Sequence, residues 1–330
     1  MKIKVSFVHL ATLLLITACS SSPSEEKKPI WVDSAQTVYA ENDYLTAVGQ
    51  ASTRERAGDI AITNLVEIFS VNIRSETNTL TDATRQDSAL GVTSESSTSL
   101  HRNIQTETQQ AISGVVIKDS WLSPNGVYYA LAVLQKRSAA LNLSESIIEL
   151  DSNSRALINY SLNEAPNIIL SINALRSARD LQLARKMANL QLKQVSPSGI
   201  PNDISSAKIE RLIARKLASM QVYVDVNSLT HKQTVQSGLA RLGASVVDDS
   251  SLTVGAFVDV VDPTHINNWY WLRGSYELTI SENGQVISRK RWPIKVSAKQ
   301  EELLNTRLHD NINAQIADYI VELISDSPTL

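Results

Sequence analysis

The amino-acid sequence predicts an α+β protein: two small α/β modules, each a helix packed on a mostly antiparallel sheet, joined by a helical segment and preceded by an apolar leader. Three observations predict it. Residues 44–133 and 222–297 carry short β-branched or alternating runs separated by turn signals. Residues 147–217, between them, show apolar residues recurring at threes and fours. A length of 330 residues with 43% hydrophobic content is enough for two folded domains. The expected organisation is a leader over 1–18, a flexible tether over 19–29, a first module over 30–142, a helical connector over 143–220 and a second module over 221–325.

The leader has a basic start (Lys2, Lys4), an apolar stretch from Val5 to Ile16, and small residues Thr17 and Ala18 before Cys19. That order is the pattern of a secretory signal peptide. The apolar stretch is about a dozen residues, short of the roughly 20 that a spanning helix needs. Cys19 is the single cysteine of the chain, and Leu15-Ile16-Thr17-Ala18-Cys19 resembles a bacterial lipobox. The resemblance implies cleavage before Cys19, an S-diacylglycerol on its thiol and an acyl chain on its new amine. The alternative is a cleaved signal followed by an incidental cysteine. One acyl chain holds a protein only marginally, so several are expected to give a stable membrane anchor. Ser20 follows the cysteine, and similarity to Gram-negative lipoproteins then implies the outer membrane, facing the periplasm. Ser20 to Lys28 is polar, contains Pro23 and reads as the tether.

The formal net charge is −3; removing Lys2 and Lys4 leaves 29 basic against 34 acidic residues, or −5. No basic excess points to nucleic acid. With Cys19 lipidated, no thiol remains for a disulfide or a zinc-thiolate site. No second long apolar run follows, so the body is expected to be soluble, with no cofactor beyond the lipid.

In the first module, Tyr44 to Gly49 is a strand candidate, and Ser52-Thr53-Arg54-Glu55 matches a capping box with Ser52 as N-cap. Ala57, Ala61, Leu65, Ile68 and Val71 then give a helical stripe. Gly114 to Ile117 and Tyr128 to Val133 read as strands, with Pro124-Asn125-Gly126 as the turn between them. Ser75 to Gln110 is polar and reads as a partly ordered, solvated excursion, with an extended helix followed by a strand as the alternative. The segment Tyr44-Leu45-Thr46-Ala47-Val48-Gly49-Gln50-Ala51, its alanine-bearing helix and the strand Val127 to Ala132 are similar to the LPP20-like lipoproteins, a family that includes outer-membrane proteins associated with bacterial flagella. The resemblance implies a small α/β module on an envelope lipoprotein, and it supplies no catalytic residues.

Three amphipathic segments follow: Ile147 to Ile158, a helix beginning near Pro166, and Ser205 to Met220 after the break at Pro197 to Pro201. Ser171 to Met220 holds nine basic and three acidic residues, a net of +6 in an acidic chain. Arg176, Arg179, Arg185, Lys186, Arg211 and Arg215 are therefore candidates for a surface that meets an acidic partner, anionic lipid or a cell-wall polymer such as peptidoglycan. Solvated helix faces are the plainer account.

The second module opens with Val222, Val224 and Val226 alternating with Tyr223 and Asp225. A helix over Ser228 to Leu242 is ended by Gly243. Strands are expected over Ser251 to Val261, Trp269 to Ser281 and Gln285 to Ser297, the last two closed by Asn283-Gly284. Pro293 implies that the last strand lies at an edge or ends near there. Leu304, Leu308, Ile312, Ile316, Ile320 and Leu323 line a terminal helix. This layout is similar to the periplasmic domains of penicillin-binding-protein activator and curli-secretion lipoproteins. Trp269 and Trp271, with Tyr270, Tyr276 and Trp292, are candidates to stack on sugars or anchor a protein partner, with core and sheet-face packing as the plainer account.

Signals for catalysis are weak. The sequence has no HExxH, GxSxG, GxxxxGK[ST] or GxGxxG motif. Ser205-Ser206-Ala207-Lys208 matches SxxK, but no KTG accompanies it. His101, His231, His265 and His309 are scattered and read as surface residues, and Asp248-Asp249 and Asp259/Asp262 lack calcium-loop spacing. The expectation is a non-enzymatic outer-membrane lipoprotein that docks envelope proteins, with a flagellar machine among the candidates. A regulator of a peptidoglycan synthase and an envelope hydrolase with a dispersed site are the alternatives.

Overall fold

The computed structural model describes residues 27–68, 90 and 114–325. Cys19 and nearly all of Ser75 to Gln110 lie outside these residues.

The first sheet has three antiparallel strands in the order β1-β3-β2: β1 (Tyr44–Ala51), β2 (Val116–Leu122) and β3 (Tyr128–Gln135). Helix α1 (54–68) follows β1. Its N-cap is Thr53, whose Oγ1 accepts from the Arg56 amide at 3.3 Å. The expected cap at Ser52 is thus displaced by one residue. Central strand β3 is apolar from Tyr128 to Leu134 because both its faces are covered. Ala130, Ala132 and Leu134 face α1 and the helices beyond it. Leu131 and Val133 face Trp31, Ala35 and Trp121, and the Trp31 indole donates to Asp119 at 2.8 Å. Gly49 explains the glycine in the first strand: a Cβ there would lie 2.3 Å from both the Ala57 carbonyl oxygen and the Ala61 nitrogen. Strand and helix approach so closely that only glycine fits.

Helix α2 (Lys136–Asn159) leaves β3 directly, earlier than the sequence suggested. A π-helical turn (Tyr160–Glu164) leads to α3 (Ile168–Val195), capped by Asn167, whose side chain accepts from the Leu170 amide. Helix α4 (Ser206–Ser219) is capped by Ser205. These helices are walls of both cores rather than a connector between them. The first half of α3 puts Ile169, Ile172, Leu175 and Ala178 into the larger core. Its second half puts Ala184, Met187, Ala188, Leu192 and Val195 into the smaller one.

The second sheet runs β5-β4-β6-β8-β7, with β9 along the other side of β8. Its elements are β4 (Gln221–Asp225), α5 (Leu229–Arg241), β5 (Ser245–Val246), β6 (Leu252–Val260), β7 (Thr264–Ile266), β8 (Trp269–Glu282), β9 (Gln285–Ala298) and α6 (Leu303–Ser325). The β4 pairings are parallel and the rest antiparallel. Asn283 and Gly284, at φ +51° and +81°, close the β8–β9 hairpin, as an Asn-Gly type I′ turn requires. β9 pairs only with β8 among the described strands and carries Pro293 where no ladder donor is needed. One face of this sheet buries Leu272, Tyr276, Leu278 and Ile280 of β8 and Trp292, Ile294 and Val296 of β9 against helices that include α6, which contributes Leu304, Leu308, Ile312, Ile316 and Ile320. The alternate residues form an outer face, where Arg273, Arg289, Arg291 and Lys295 are exposed.

Candidate functional site

Arg176, Arg179 and Arg185 do not form a partner surface, because all three are buried. A buried guanidinium must keep its donors satisfied within the protein. Arg179 donates from Nε to Asp180 at 3.0 Å and from Nη1 to Glu210 on α4 at 2.9 Å. Burial alone would lower its pKa, but Asp180 and Glu210 outweigh that and raise it. Arg185 Nε lies 3.3 Å from both carboxylate oxygens of Asp151 on α2, and its Nη2 donates to the carbonyls of Ile200 (3.1 Å) and Pro201 (2.6 Å). Gln182 adds bonds to Asp151 (2.9 Å) and Ser154 (3.0 Å). This polar seam sits on α3 between the two apolar cores and ties α2, α3, α4 and the 200–201 loop together. At its rim Arg155 pairs with Asp203 at 3.1 Å. The Asp203 carboxyl is held below its usual range by its own backbone amide and then by Arg155. One signal in the sequence pointed to the seam: Arg176, Arg179 and Arg185 each directly follow a residue of the apolar stripe, Leu175, Ala178 or Ala184. Lys186, Arg211 and Arg215 are exposed.

The aromatic residues of the second sheet divide by strand parity. Tyr276 and Trp292 are core residues. Trp292 stacks on Tyr319 of α6 at 4.4 Å between centroids and donates to Glu322 at 2.7 Å. His231 of α5 is buried edge-on against Tyr276 at 5.3 Å, which corrects the expectation of a surface histidine. Burial, with His309 adding, pushes its pKa below the ordinary value. Burial and then Tyr319 push the Tyr276 phenol up. Neither His231 Nε2 nor the Tyr276 hydroxyl has a hydrogen-bond partner among the described residues. Trp269 and Trp271 instead lie half-buried on the outer face. Lys299 stands over Trp269 at 5.8 Å and Lys295 over Trp271 at 4.9 Å.

The SxxK pair is a helix start. Ser205 Oγ accepts from the Lys208 amide at 3.2 Å, and both residues are exposed. Among the described residues no group of three or more His, Cys, Asp or Glu could hold a metal. No described helix is long and apolar enough to cross a membrane.

Residues 29–135 match the LPP20 lipoprotein family. The matched LPP20 segment ends on Gln135, the last residue of β3, so it holds the whole three-stranded sheet and nothing of the second. No curated protein matches the chain. A minor lipoprotein from Acinetobacter baumannii is similar at 14% identity over 31% of this chain and 90% of its own, with a TM-score of 0.27. A secreted protein from Helicobacter pylori is similar at 14% identity over 83% of this chain and 96% of its own, with a TM-score of 0.45. Neither likeness bears on what this chain does.

Proposed function

We propose that the protein is a lipid-anchored, non-enzymatic lipoprotein of the outer membrane, facing the periplasm and acting there as a docking module. The observation that carries this reading is the conjunction of a lipobox-like segment ending at Cys19 with an LPP20 module that begins at residue 29. The spacing leaves a short polar tether between lipid and fold. Tethering confines the two modules to a thin layer and raises their effective concentration for a partner in it. The shared helix α3 supports a scaffold, because it enters both cores and fixes them against each other. Acyl labelling and membrane fractionation of the wild type and Cys19→Ser test the anchor. Labelling and outer-membrane recovery lost in the variant support it; unchanged labelling and attachment refute it. Crosslinking in cells, with Cys19→Ser as control, then tests docking. Capture of flagellar basal-body proteins only by the lipidated form supports a flagellar partner, and capture of peptidoglycan synthases moves the role to their regulation.

A further inference from the structure

The outer face of the second sheet is not uniform. Near its middle, the cations share a carboxylate: Glu277 accepts from Arg291 at 2.9 Å and lies 3.3 Å from Arg289, leaving one positive charge in excess. Around the start of β8 they do not. Arg273, Lys295 and Lys299 have no carboxylate partner among the described residues, and the lysine ammonium groups rest over Trp271 and Trp269. Arg307 adds a fourth cation, donating to the Ser297 carbonyl at 2.7 Å. Asp259, paired with Ser275, borders the patch on the β6 side, so its positive end lies along β9. Exposed aliphatic side chains flank the same end. Ile266 is paired with Trp269, and Val261 bonds through its amide to the Arg273 carbonyl at 3.0 Å. Both are about half exposed or more, at 48% and 62%.

We propose that this end of the β8–β9 ribbon is a second, peripheral contact with the membrane, seated in a layer of anionic lipid headgroups. Several features of the patch favour that occupant. Unpaired cations complement an anionic surface. Half-buried indoles beside aliphatic residues suit the boundary between headgroups and acyl chains, where tryptophan concentrates. The lysine ammonium groups are held by indole faces and, among the described residues, not by carboxylates, so a lipid phosphate can approach them without breaking an ion pair. Two other occupants fit less well. Pro293 offers no amide and Arg307 covers the Ser297 carbonyl, which blunts β9 against an added peptide strand. A sugar stacking on either indole would have to displace a lysine. The inference rests on the lipid-anchor reading, since the tether is what would bring this face to the membrane repeatedly. Two contacts would then hold the second module at a set orientation above the bilayer.

The test uses the purified lipoprotein reconstituted on vesicles of phosphatidylcholine, or of phosphatidylcholine with phosphatidylglycerol, each carrying a headgroup spin-labelled quencher. Flotation with the neutral vesicles reports the anchor alone; its failure refutes the anchor and leaves the patch to be read from fluorescence on the anionic vesicles. Quenching of tryptophan emission reports the patch. The expected result is quenching on anionic vesicles only, lost in Trp269→Phe/Trp271→Phe. It should fall on the order of tenfold in Lys295→Glu/Lys299→Glu and decline as salt is raised. Thermal unfolding of both variants checks that they fold, and the salt series on the wild type gives an answer without them. Quenching equal on both vesicle types, absent from both, or unchanged in the tryptophan variant overturns the proposal. Emission that responds to polyglutamate but to neither vesicle also overturns it, and assigns the patch to an acidic polypeptide.

Discussion

The two cores are built on different terms, although one helix serves both. The smaller is alanine-rich: Ala57, Ala61, Ala130, Ala132, Ala139, Ala184 and Ala188 let helices and sheet approach closely, and Gly49 marks the tightest point. The larger is filled by leucine, isoleucine, valine and the ring group of Tyr276, Trp292 and Tyr319. Close approach of backbones leaves little room to absorb added volume, whereas a core of large side chains can shift rotamers at modest cost. Between the cores lies the buried arginine seam, which links α2, α3, α4 and the 200–201 loop. The difference teaches where each half is fragile: the small core to added atoms, the junction to lost charge.

The largest expected effect is at the junction. Arg185→Ala leaves Asp151 buried without its cation and should cost about 3–5 kcal/mol. Urea denaturation followed by tryptophan emission measures it, and a loss below about 1 kcal/mol would mean that the seam does not join the cores. Next comes Gly49→Ala. The added methyl meets helix backbone rather than a flexible side chain, so a loss of roughly 1–3 kcal/mol is expected. A comparable small-to-large change among the leucines of the larger core should cost less, and equal losses would erase the contrast. Thr53→Ala should cost about 1 kcal/mol of stability and Ser52→Ala a few tenths at most, since only Thr53 caps α1. The reverse order in thermal unfolding would restore the sequence-based assignment.

The smallest effect concerns pH and belongs to the larger core. His231 is held neutral below its ordinary pKa of 6.5, facing Tyr276 of β8 and His309 of α6. On acidification the unfolded chain takes up its proton first. The stability this residue contributes is therefore full above about pH 6.5 and is lost as pH falls from there toward the lower, folded value. His231→Phe should flatten that part of the stability profile; an unchanged slope would assign it to other groups.

Much of the fold was legible because it is written in local terms. Alternation in Val222 to Val226 and the Asn283-Gly284 turn specify a strand and a hairpin without reference to the rest of the chain. The terminal helix was legible for the same reason, its six stripe residues all being buried. The candidate site was less so. Arg176, Arg179 and Arg185 were read as surface by charge alone, yet their partners Asp151 and Glu210 lie 34 and 31 residues away from Arg185 and Arg179. Trp269, Trp271, Tyr276 and Trp292 were read as one group, and strand parity sent two outward and two inward.

By itself the sequence determined the α+β class, most of the longer strands and helices, the Asn283-Gly284 turn and the lipobox-like segment at Cys19, because each depends on residues within a few positions of one another, whereas the short strands β5 and β7 and the early start of α2 were not legible in it. Only the tertiary structure decided that α3 belongs to two cores, that its arginines are interior, and that one end of an open sheet face carries unpaired cations over indoles. Burial and charge pairing depend on which distant segments meet, and no local period in the chain encodes that meeting.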